Sequence, residues 1–142
     1  MASRSRLFDI MAVFGRIGLA SLFILGGANK LATYGQVVDR MELVGLPFAQ
    51  ELLPLVVLLE VGGGLVVAFG RTLAAQGALA LAVFTIATNF VFHDFWNMTG
   101  ILAELELSLF FKNISIAGAL LLMAGSTFGG RSSTAEDAEF SE

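Results

Sequence analysis

Four apolar runs, residues 9–29, 48–69, 73–92 and 107–127, occupy most of the sequence. Each is long enough to cross a bilayer, which takes roughly 20 residues as a helix. Inside hydrocarbon every backbone N–H and C=O needs a partner within the protein, so a spanning segment is a helix or a strand of a closed barrel. These runs lack the two-residue alternation of barrel strands and therefore read as helices. Only 14% of the residues are charged, 56% are hydrophobic and the mean hydropathy is +0.82. A soluble fold of 142 residues could not hide that much apolar surface, because ordinary domains carry roughly 25% charged residues. The expected fold is all-α: a polytopic four-transmembrane-helix bundle over residues 1–130.

The connections sharpen this outline. Residues 70–72 alone join the second and third runs, so those helices form a tight antiparallel hairpin. In the first outer loop, residues 31–47, Val37, Val38, Met41 and Val44 recur at helical spacing with Asp39, Arg40 and Glu42 between them. Gly45 and Pro47 follow as a helix stop, which predicts a short amphipathic helix at the interface. The second outer loop carries Phe95 and Trp96, aromatic residues of the kind that anchor among headgroups. At the N-terminus Arg4 and Arg6 precede an apolar stretch longer than a signal-peptide core and interrupted by Arg16, so it reads as an uncleaved first span. The tail, residues 131–142, is polar, acidic and expected to be disordered. Arg4, Arg6, Arg71 and Arg131 fall on one side of this topology, and Lys30, Arg40 and Lys112 on the other. That distribution favours cytoplasmic termini.

Several chemistries are excluded at once. Without cysteine there are no disulfides, thiolate-bound metals, iron–sulfur clusters or cysteine nucleophiles. A single histidine excludes a bis-imidazole haem within one chain. No metal site is expected, and no basic stretch suggests nucleic acid.

What remains is a set of polar residues inside the spans, where ionisable groups are functional candidates by default. Glu60 lies in LVVLLEVGGGLVVAF, with Gly63 and Gly64 on its own helical face, so another helix can approach it closely. Arg16, counted in from the opposite end of the first span, falls near the same depth, which predicts an Arg16–Glu60 ion pair. That pair reads equally as a pin between two helices. Lys30 shares a face with Arg16, about four turns away. Thr85, Asn89 and His93 are spaced by four and form a polar stripe. Imidazole titrates near neutral pH and can move protons or hydrogen-bond a quinone carbonyl. The alternative is a solvated boundary histidine beside Asp94. Lys112, with Asn113 beside it, either enters a polar site or extends its ammonium to the surface as an anchor. Lys30, His93, Asp94, Lys112 and Asn113 map to the outer half with Glu60 beneath them, which predicts an outward-facing polar pocket, with Asn89 on its wall.

Read in order, GRIGLASLFILGGANKL, a loop ending VGLP, LEVGGGLVVAFG, ATNFVFHDFW and FFKNISIAGALLL resemble the DoxX family. The resemblance runs from about Gly15 to Leu122. It implies a four-helix protein of the bacterial inner membrane. Relatives are linked to redox work, as a subunit of an archaeal thiosulfate:quinone oxidoreductase and within a mycobacterial membrane complex with superoxide dismutase and a sulfurtransferase. Most members have no established activity.

Three functions follow as expectations. The first is a redox-associated subunit that binds a quinone in the polar pocket, with Glu60, His93 and Lys112 handling protons or binding carbonyls. The second is a membrane anchor that assembles soluble redox enzymes and has no chemistry of its own. The third is a small proton-linked carrier, which would need a homo-oligomer to build a pathway. No reaction is assigned to the chain.

Overall fold

The computed structural model describes residues 2–70 and 72–139. Among them the regular structure is helical: α1 (Ala2–Ala32), α2 (Tyr34–Leu43), α3 (Ala49–Phe69), α4 (Ala74–Phe92), a 3-10 turn (Phe95–Asn97) and α5 (Gly100–Glu139). Four segments are long and apolar enough to cross a membrane: Arg6–Ala32, Ala49–Phe69, Ala74–Asn97 and Gly100–Thr127. The chain divides into two compact units, Met1–Arg71 and Thr72–Glu142. Each is a helical hairpin.

In the first hairpin α1 packs on α3, and α2 fills the connection. The amphipathic pattern of the loop is realised: Val38 and Met41 are buried while Asp39, Arg40 and Glu42 face outward. Pro54 sits inside α3 and has no N–H to give to the carbonyl of Gln50, four residues earlier. The Tyr34 hydroxyl donates to that carbonyl at 2.7 Å, so α2 satisfies the acceptor that the proline leaves open. At the far end of α3, Arg16 donates from Nε to the Val67 carbonyl at 2.9 Å and from Nη2 to the Gly70 carbonyl at 2.6 Å. Those are last-turn acceptors with no partner in their own helix. Arg16 is thus a cap supplied from the neighbouring helix.

The contact between α1 and α3 depends on two glycines. A Cβ at Gly27 would lie 2.6 Å from Val61 Cγ2 and 3.4 Å from Glu60 Cβ. One at Gly64 would lie 2.8 Å from Ile24 Cγ1 and 3.1 Å from the Ala20 carbonyl oxygen. Small residues at such crossings let backbones approach and gain dispersion where hydrocarbon offers no hydrophobic drive.

In the second hairpin α4 packs on α5. Its close-packed surfaces are built from alanine: Ala74, Ala75, Ala78 and Ala82 on α4, and Ala117 and Ala124 on α5, are buried with Leu81 and Leu120. Helix α5 continues past the expected end of the fourth span to Glu139, through residues expected to be disordered. Ala135, Glu136, Ala138 and Glu139 are good helix formers, and no proline stops them. Residues 140–142 lie outside the described residues. Leucine, valine and isoleucine side chains such as Leu25, Leu58, Val83 and Leu122 are exposed along the spans, the surface a bilayer covers.

Candidate functional site

Each hairpin holds its own polar cluster. In the first, the Lys30 ammonium donates to both oxygens of the Glu60 carboxylate, at 2.9 Å and 2.8 Å. The Glu60 side chain is 8% exposed and that of Lys30 27%. Direction explains the pairing. A helical side chain leans toward the N-terminus of its helix, so Lys30, near the C-terminal end of α1, leans back along the span. Its Nζ lies over Gly26, one turn earlier, 3.8 Å from where a Cβ would stand there.

The expected Arg16–Glu60 pair does not form. Lys30 occupies Glu60, and Arg16 lies at the end of α3, against Val67 and Gly70. The depth count placed both ends of the first loop level. Instead α2 fills the connection, and Glu60 lies against Gly27 while Val67 and Gly70 reach Arg16.

In the second hairpin the stripe Thr85–Asn89–His93 faces inward, and most of its polar capacity is used there. Thr85 Oγ1 donates to the Leu81 carbonyl at 2.7 Å. Asn89 Nδ2 donates to the Phe110 carbonyl at 3.2 Å, and Asn113 Nδ2 donates to Asn89 Oδ1 at 3.0 Å. Nearer the turn, His93 Nδ1 lies 2.5 Å from Glu106 Oε2, with both side chains about one-fifth exposed. Among the described residues the second ring nitrogen, Nε2, takes no partner. Asp94 belongs to the turn itself, where it accepts from Asn97 Nδ2 at 3.2 Å. Lys112 is exposed on α5 and has no hydrogen bond or ion pair among the described residues.

Glu106 was not singled out in the sequence. The His93–Glu106 and Asn89–Phe110 contacts share one register, four residues apart on each helix, and the turn that sets it is not written in the spacing. Beside His93 lies a ring cluster centred on Phe110, which meets Phe90 edge-on at 5.2 Å, Phe95 at 5.3 Å and Trp96 at 6.0 Å between centroids. Phe90 and Trp96 keep about half their surface exposed.

The DoxX family model matches residues 11–94. The chain belongs to the DoxX family. It is 38% identical over 119 residues to the inner membrane protein YqjF of Escherichia coli (strain K12), covering 84% of this chain and 85% of that one. It is 29% identical over 115 residues to the inner membrane protein YphA of the same organism, covering 81% of each. No solved structure matches. The match to the DoxX model takes in the Lys30–Glu60 pair and ends at Asp94, before Glu106, Lys112 and Asn113. With four helices suited to spanning and two inner-membrane relatives, the chain is an integral inner-membrane protein of the DoxX type, in contact with lipid.

Proposed function

We propose that this DoxX-type protein is a redox-associated, quinone-linked subunit of the inner membrane, with both termini in the cytoplasm, in which His93 is the proton-handling group. The observation that carries the proposal is the His93–Glu106 couple. A carboxylate on Nδ1 fixes the ring's orientation, leaving Nε2 to give or take a proton at a ligand oxygen. The half-exposed rings of Phe90 and Trp96 offer apolar faces for a planar ligand at the same end of the hairpin. Glu60, Lys30, Asn89, Asp94, Lys112 and Asn113 then support the fold or the approach to the site.

The test is native mass spectrometry with lipid extraction on protein purified gently from its own membrane. A co-purifying quinone that disappears in His93→Ala and in Glu106→Gln is the expected result. A wild-type protein with no quinone, and a His93→Ala variant that behaves as wild type in cells, would end the proposal.

A second reading is favoured by a specific observation: the hydrogen bonds of Asn89 and Asn113, and the charge of Glu60, are directed within their own hairpins. On that reading the polar residues are fold determinants and the protein anchors soluble redox enzymes. Glu60→Gln would then lower protein abundance without changing any reaction per molecule, and a retained soluble partner would appear in the same spectra.

A further inference from the structure

We propose that Lys30 and Glu60 together form a proton-coupled anion site, in which a monovalent organic anion displaces the Glu60 carboxylate from the Lys30 ammonium as Glu60 takes up one proton. This inference is independent of the His93–Glu106 couple, because it concerns the other hairpin and different residues.

The geometry supplies three parts. Both Glu60 oxygens are held by the single Nζ, and no other donor reaches them among the described residues. The third ammonium hydrogen has no partner among the described residues. The pair is also lopsided in exposure, with Lys30 more than three times as accessible as Glu60, so a ligand approaches from the ammonium side. An incoming acceptor oxygen meets the free N–H first. A cation would meet the ammonium and be repelled. Leu31, the next residue along α1, is exposed and apolar, which suits an anion with an apolar body.

Charge balance then dictates the coupling. In a region of low dielectric the neutral pair is tolerated, whereas one cation with two anions leaves a net charge that is costly to desolvate. The anion therefore enters with a proton. The proton adds to a Glu60 oxygen, the ammonium keeps its charge, and no covalent bond breaks. Among the described residues of this hairpin, no other titratable group is hydrogen-bonded to the pair. On α1, Arg16 is committed to the far end of α3. Helix α2 packs through Val38 and Met41 while Asp39, Arg40 and Glu42 are exposed, and the Tyr34 hydroxyl is given to Gln50. On α3 itself Glu51 is exposed in the first turn.

The experiment uses full-length protein in nanodiscs of phosphatidylcholine, with radiolabelled benzenesulfonate as the probe because it stays anionic across the range. Binding should strengthen about tenfold for each pH unit lowered, as uptake of one proton requires. A weakly buffered sample should lose about one proton from solution per probe bound. Glu60→Gln should bind with no pH dependence, and Lys30→Gln should not bind. The wild-type proton count keeps the test decisive if either variant fails to fold. Competition by added phosphatidylglycerol would identify a phospholipid phosphate as the occupant; absence of competition would identify a soluble anion. No binding by the wild type at any pH from about 5 to about 8, or binding without proton uptake, would overturn the proposal.

Discussion

The two hairpins solve one problem with different chemistry. Each must place polar side chains in a membrane span without leaving them unpartnered. The first uses full charges, Lys30 on Glu60, beside a crossing kept close by Gly27 and Gly64. The second keeps its carboxylate, Glu106 on His93, near the turn and further along uses neutral amides, Asn89 and Asn113, between surfaces lined with alanine. An amide pair satisfies itself locally and survives small shifts. A charged pair in low dielectric needs its partner at hydrogen-bond distance, so the glycines and the backward lean of Lys30 are part of the same solution. The lysines make the point again. Lys30 leans back along α1 to a carboxylate, whereas Lys112, early in α5, leans toward the turn and remains exposed.

The contrast can be broken most forcefully at Lys30. Lys30→Met leaves Glu60 buried without a cation and should destabilise the protein by about 3–5 kcal/mol, while Lys30→Met with Glu60→Leu should recover most of it. Steric trapping in bicelles would measure both, and a single variant as stable as wild type would show that the pair contributes nothing. The glycine crossing comes next. Gly64→Val should cost about 1–3 kcal/mol by overpacking against Ile24 and the Ala20 carbonyl. Gly62→Ala, where nothing lies within 4 Å, is the matched control and should be neutral in the same assay. The smallest effect belongs to the amide pair. Asn89→Leu should cost on the order of 0.6 kcal/mol, the average for hydrogen bonds between membrane helices. A loss as large as that of Lys30→Met would erase the distinction between the hairpins.

The sequence was most informative where one chemical rule acts along the chain. Hydrocarbon requires long apolar helices, so the number of spans was legible in the sequence, while α5 begins at Gly100, ahead of the expected start at residue 107. The loop helix with Val38 and Met41 buried followed from its periodicity. The Asn89–Asn113 contact was half-visible, since both residues were candidates but nothing in the sequence joined them. His93 was visible and its partner was not, because Glu106 resembles any loop-end acid until the turn sets the register.

Composition, periodicity and the demand that lipid makes on backbone hydrogen bonds determined the all-α class, the number of spans and the residues whose polarity needed explanation. Tertiary structure alone decided which of them meet. Helices slide against one another in steps that sequence spacing does not record, and with α2 in the connection Glu60 lies against Gly27 rather than Arg16. That register takes Glu60 from Arg16 and gives it to Lys30, and it gives Arg16 the open carbonyls of Val67 and Gly70.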